Sequence, residues 1–219
     1  VSLAIAAAAL VTVPAGAGSG SGTEVKAQLY KKVVETHPSQ GDVREIEGSE
    51  AILLTTPMGA FASLETSELT PGNAYTLWFV AINNPEACEN KPCKASDVLG
   101  MSDKVQSDVG YGDGLIAGPD GTGIFTTHRK VGAIPQAWIG TGLTHPETAE
   151  IHLVVHEHGP LIPGREAAMI GTFRDSCTDE SLSKMAPDTA RADGAPGPNT
   201  CKLVQDVIFM QSGQQTASQ

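Results

Sequence analysis

Leu69-Thr70-Pro71-Gly72-Asn73-Ala74-Tyr75-Thr76-Leu77-Trp78-Phe79-Val80 is the stretch on which the fold turns. Pro71 presets φ and Gly72 tolerates a positive one, so residues 70–73 read as a tight corner. The strand behind it is apolar on both parities, with Leu77, Phe79 and Ala81 on one and Trp78, Val80 and Ile82 on the other. A strand with one wet face alternates; a strand apolar on both sides is covered twice. Further strands are expected at 44–55, 60–66, 74–83, 108–116, 123–131, 149–158, 169–173 and 203–210. Thr56-Pro57, Gly118-Pro119-Asp120-Gly121 and His158-Gly159-Pro160 separate several of them. The Pro119-Asp120-Gly121 turn between apolar runs predicts a hairpin. Residues 23–43 fit a helical stripe and a strand face equally well.

The L-x-P-G-x-x-Y pattern resembles the corner of fibronectin type III and immunoglobulin-like sandwiches. That resemblance implies that the Tyr75 hydroxyl closes the turn on backbone upstream. The expected fold is all-β: an antiparallel Greek-key β-sandwich of immunoglobulin-like kind with an N-terminal extension. The segments are 1–22 as extension, 23–43 as the ambiguous stretch, 44–210 as the sandwich and 211–219 as a polar tail.

Composition narrows the function classes. With 14 basic against 25 acidic residues the formal charge is -11, a poor match for a phosphate backbone. A charged content of 18% argues against wholesale disorder, and 24 Gly with 14 Pro without a fixed period indicate many turns.

Residues 1–13 form an uncharged apolar run, followed by Ala15 and Ala17 and then by Gly18-Ser19-Gly20-Ser21-Gly22. This reads as the tail of a secretory signal peptide, cleaved after Ala17. The run is too short to span a bilayer. A second reading stays open: Val1, Leu3, Ile5, Val11 and Val13 share one parity, as in a strand that could insert into a neighbouring subunit on its Gly/Ser leash.

Cys88, Cys93, Cys177 and Cys201 allow three pairings, and they agree with an exported protein. The local pairing closes a tight loop at 88–93 and a long polar loop at 177–201. In the chain-entropy model the longer bridge stabilises by roughly 3 kcal/mol. A zinc knuckle is disfavoured because no C-x2-C occurs.

On the strand Glu150-Ile151-His152-Leu153-Val154-Val155-His156-Glu157-His158, Ile151, Leu153 and Val155 form the natural core parity. Glu150, His152, His156 and His158 share the other. Imidazoles two residues apart on one face suit zinc or copper, with His128 as a further candidate ligand. The V-H-E-H-G fragment resembles the metal-binding strand of Cu,Zn superoxide dismutases. His156-Glu157-His158-Gly159-Pro160 with Pro163-Gly164 also resembles the H-x-H-G-P-A motif of CHRD (chordin-type) domains. Together with Leu69-Thr70-Pro71-Gly72 and Asn83-Asn84-Pro85-Glu86-Ala87-Cys88, it is similar to uncharacterised secreted bacterial β-sandwich proteins of that class. The CHRD-like resemblance implies a secreted β-domain, usually without catalytic activity. The more ordinary role for such residues is a solvated strand face whose His158 closes a turn.

No G-x-S-x-G elbow, H-E-x-x-H helix motif or nucleotide-binding loop is present, and scattered carboxylates on an acidic chain mostly mark a solvated exterior. The expectation is therefore a secreted or cell-surface, non-enzymatic structural or adhesive β-sandwich with no cofactor. If residues 1–13 are retained, it would be a filament subunit, a homopolymer built by donor-strand insertion. The alternative is a copper- or zinc-binding extracellular module using His152, His156, His158 and His128. A metal-dependent redox activity is the one enzymatic reading kept. Neither nucleic acid nor a membrane span is expected.

Overall fold

The computed structural model describes residues 9–11, 27–133, 137–140, 142–161, 163–164, 166–171 and 202–211. Its strands in chain order are β1 (Ala9–Val11), β2 (Ala27–Lys32), β3 (Glu35–Thr36), β4 (Glu50–Thr56), β5 (Gly59–Thr66), β6 (Asn73–Ile82), β7 (Ser107–Ile116), β8 (Gly123–Lys130), β9 (Glu150–Pro160) and β10 (Lys202–Phe209). They form two antiparallel sheets packed as a sandwich, sheet A in the order β1-β2-β4-β5-β8 and sheet B in the order β3-β10-β9-β6-β7. After two crossings between sheets, β8 returns beside β5 and β9 beside β6. This return of the third following strand is the Greek-key pattern.

Alternation builds the core between the sheets. Sheet A contributes Leu53, Ala62, Leu64 and Phe125; sheet B contributes Leu77, Phe79, Leu153 and Phe209. Strand β6 is buried along its whole length, as its doubly apolar sequence requires. Its second face packs against a separate cluster, in which Trp78, Val80 and Ile82 meet Val98, Val105 and Val109. That cover comes from the excursion between β6 and β7, which carries the short helices α1 (Ala95–Gly100) and α2 (Ser102–Val105).

The corner before β6 closes as its sequence suggests. Thr70 N–H donates to the Tyr75 hydroxyl at 2.7 Å, and Asn73 N–H to the Thr70 carbonyl at 3.1 Å, around Gly72 at φ 78°. Burial pushes the Tyr75 phenol up to about 12, against the pull of Thr70.

Three expectations change in the fold. Within the 23–43 stretch, residues 27–32 and 35–36 form strands β2 and β3, β2 pairing with β4 through Leu29↔Leu54 and Lys31↔Ile52. The Gly118–Gly121 turn forms, with Gly121 N–H on the Gly118 carbonyl at 3.0 Å, but it is not a hairpin. It carries the chain from sheet B to sheet A, since β7 pairs with β6 and β8 with β5. Docking explains this: Gly72 N–H binds the Ala117 carbonyl and Leu69 N–H the Gly121 carbonyl, so the turn packs on the corner. The strand expected at 169–173 falls partly in helix α3 (Glu166–Gly171). Its backbone lies so close to β7 that a Cβ on Gly114 would stand 1.9 Å from the Ile170 carbonyl oxygen, a contact only glycine permits.

In the N-terminal segment, Ala9–Val11 pair with β2 of their own chain, Val11 opposite Ala27. Val1, Leu3, Ile5 and Val13 lie outside the described residues. So do Cys177 and Cys201 with the loop between them; Cys88 and Cys93 form a disulfide. Among the described residues no helix is long and apolar enough to cross a membrane.

Candidate functional site

Strand β9 keeps its two faces as the alternation requires. Ile151, Leu153 and Val155 enter the inter-sheet core, so the even positions face outward from sheet B beneath the α1–α2 excursion. A register irregularity opposite residues 73–75 accompanies the end of the strand. There the His158 Nε2 sits 2.8 Å from the Thr76 hydroxyl, and the imidazole is wholly buried. Burial drives His158 down to about 3, so it is neutral at physiological pH. His156 is also lowered well below its ordinary value, by burial first and then by His158 and His37. The rings of His156 and His158 stand 6.4 Å apart, and Trp78 lies 6.1 Å from His156.

His152 is committed elsewhere. Its Nε2–H donates to Glu150 at 2.7 Å, and the same carboxylate oxygen accepts the Cys93 N–H at 2.8 Å. Glu150 thus ties the histidine strand to the disulfide loop.

His128 requires a correction. It stands opposite Phe61 on the exposed face of sheet A, on the far side of the sandwich from the other three histidines. Its neighbours Phe125 and Thr127 turn into the core, so strand parity forces it outward on the wrong sheet. Among the described residues, no group of three or more His, Cys, Asp or Glu is placed to hold one metal ion.

The outer face of sheet B instead carries a cavity of about 230 Å³. Its floor follows from the register. Trp78, Val154 and Asp206 stand side by side on β6, β9 and β10, flanked by Val80 with His152 on one side and by His156 with Leu203 on the other. Helix α1 lines it with Ala95, Val98 and Leu99. Trp138 closes a further side, its backbone N–H hydrogen-bonded to the Val109 carbonyl at 2.8 Å and its ring packed edge-on to Trp78 with ring centres 6.1 Å apart. His37 forms another wall, from the turn after β3.

The α1 wall is anchored by several contacts. The Cys88–Cys93 disulfide closes the loop before it. The buried Asp97 carboxylate accepts from Lys94 N–H at 2.8 Å, Glu89 N–H at 2.9 Å and the Asn90 amide at 3.0 Å. Burial would raise the Asp97 carboxyl, but these donors outweigh it and hold it below the usual range.

The polar groups on the cavity wall differ in kind. His37 accepts the Ser39 N–H on Nδ1 at 3.1 Å, and burial followed by the neighbouring His152 lowers its basicity. Asp206 is only 9% exposed, and no hydrogen bond or ion pair from a described residue reaches its carboxylate. Burial pushes it up to about 6, with His152 pulling it back and Glu35 adding to the rise.

No family model, no curated protein and no solved structure matches the chain. The likenesses to CHRD domains, superoxide dismutases and fibronectin-type corners therefore rest on the short motifs that suggested them, and the site has to be read from its own chemistry. Sequence reasoning selected His152, His156 and His158 but missed Asp206, His37, Trp138 and the cavity. One signal was available for Asp206: it is the charged member of the parity Val204, Asp206, Ile208, whose other two residues are apolar. Nothing local marks Trp138 or His37, which reach the site through tertiary packing.

Proposed function

We propose that the protein is an exported, non-enzymatic extracellular β-sandwich of structural or adhesive kind whose specific element is a small-ligand cavity on the outer face of sheet B. One observation carries this reading: an apolar hollow walled by two tryptophans and a helix, with few polar groups converging on it. Sites of this description, an apolar lining with a small number of placed polar groups, are what ligand pockets look like. Its volume of about 230 Å³ lies below the customary pocket range of ~300–1,000 Å³, which favours a compact ligand over a lipid or peptide. The Cys88–Cys93 disulfide agrees with an oxidising compartment.

The chain has two tryptophans and both line the cavity, so its indole emission reports on this place. Titration with benzyl alcohol and benzylammonium, followed by emission, is expected to give a saturable change that disappears in Val154→Phe, which fills the floor. An emission change that survives the filled floor, or none in the native protein, counts against the reading. For export, the mature N-terminus by intact mass should begin near Gly18.

A copper- or zinc-binding module is the second reading, supported by His152, His156 and His158 sharing one face of β9. Stoichiometric metal in the purified protein, lost in His156→Ala, would favour it.

A further inference from the structure

We infer that the ligand of this cavity is a small organic cation, a protonated amine or quaternary ammonium on a one-ring or similarly compact apolar body, held with its charge at Asp206 and its body against Trp78 and Trp138. The inference rests on the reading of the cavity as a binding site and gives that site its ligand class.

The carboxylate is the starting point. Asp206 is nine-tenths buried and lines the hollow, yet no described residue donates to it. Buried charges are paired in folded proteins, because an apolar surround gives an ion nothing in exchange for its water. Among the described residues the nearby candidates are otherwise engaged. His152 donates its Nε2–H to Glu150, and His37 turns its Nδ1 to the Ser39 N–H. The Lys32 ammonium is drawn to Glu35 and Glu150. Strand register places Glu35 directly opposite Asp206, so a second carboxylate adds to the negative field there. What Asp206 lacks among the described residues is a positive charge carrying N–H or N–CH₃ groups, and a ligand can supply it.

The walls fit the rest of such a molecule. Trp78 and Asp206 are two strands apart on the cavity floor, roughly 10 Å between backbones at the usual strand spacing. Val154 lies between them as an apolar base. Indole faces attract cations more strongly than the other aromatic side chains do. An anionic ligand would meet Asp206 on a chain of net charge -11, and a neutral one would leave the carboxylate unpaired. The acidic exterior would also raise the local concentration of cations at the mouth.

Three one-ring probes of similar size separate the outcomes: benzylammonium, benzyl alcohol and benzoate, titrated by calorimetry and tryptophan emission. Benzylammonium should bind at least tenfold more tightly than benzyl alcohol, with benzoate weakest. Asp206→Asn should remove that tenfold preference, with an unchanged near-ultraviolet circular dichroism spectrum showing that the variant is folded. Equal affinity for cation and alcohol, unaltered in Asp206→Asn, overturns the inference but leaves the cavity a binding site. Failure of all three probes overturns the cavity reading and the inference with it. Zinc or copper bound stoichiometrically through Asp206, with no affinity for benzylammonium, overturns the inference in favour of a metal centre.

Discussion

At Tyr75 one hydroxyl organises the approach to the most buried strand. It accepts the Thr70 N–H and reaches Glu157 at 3.3 Å, joining the corner to the end of β9. Tyr75→Phe keeps the ring but leaves that N–H without its acceptor. A loss of about 1–2 kcal/mol in unfolding free energy is expected by denaturant titration; an unchanged midpoint would mean that water replaces the hydroxyl at no cost. A second effect concerns protons. His156 and His158 have native pKa values below the unfolded value near 6.5, so the unfolded chain takes up their protons first as pH falls. The native state therefore loses stability progressively as pH falls below 6.5. Asp206 acts with the opposite sign: at about 6 it lies above its unfolded value, so between pH 6 and 4 the native state takes up the proton and gains stability. Asp206→Asn should therefore steepen the loss of stability between pH 6 and 4, by on the order of 1 kcal/mol per unit. Equal slopes in the two proteins would place the Asp206 carboxyl in the ordinary carboxylate range. Residue-level chemistry was legible wherever a motif was local. The Tyr75 corner follows from the resemblance of its L-x-P-G-x-x-Y pattern to sandwich corners, and the shared face of His152, His156 and His158 from strand parity. Their partners Thr76, Glu150 and Cys93 do not, because sheet register and loop closure bring them there.

Among the elements, the excursion between β6 and β7 matters most to the site. It has no long helix and little regular structure, and its hold on sheet B depends on the disulfide, the Asp97 cap and the Glu150–Cys93 hydrogen bond. Replacing both Cys88 and Cys93 by Ser should cost about 2 kcal/mol through the lost loop constraint. It should also shift tryptophan emission to the red as water reaches Trp78 and Trp138. Retained emission would show that the apolar cluster around Val98 and Val105 suffices to hold α1 in place. Strands were readable from the sequence where apolar alternation ran for six or more residues, as in β5 and β9. Two elements were not. The Gly118–Gly121 turn carried a hairpin's residues, yet its destination was set by docking on the Pro71-Gly72 corner. The apolar run near Met169 is too short for its period to distinguish strand from helix.

For the whole molecule, the two sheets have unequal duties. Sheet A has an inner face in the core and an outer face with Phe61, Thr126 and His128 exposed. Sheet B is covered on both faces, by sheet A within and by the α1–α2 excursion without. The doubly apolar sequence of β6 announced that cover but could not say what provided it, since the covering segment reads locally as turn-rich polar chain. A consequence lies in how unevenly the protein should tolerate change. Along residues 60–66 every second position is exposed or half-buried, so a saturation scan there should alternate between permissive and intolerant sites. Along Asn73–Ile82 no such rhythm is available, because all ten positions are buried. Polar substitutions there should fail at odd positions by damaging the core and at even ones by damaging the cavity floor and its surroundings. A scan that found β6 as permissive as β5 on alternate residues would mean that the outer cover opens freely in solution. The cavity floor and the core thus meet in one strand, through Trp78 and Val80 on one face and Leu77 and Phe79 on the other, which leaves it little room to drift without altering both.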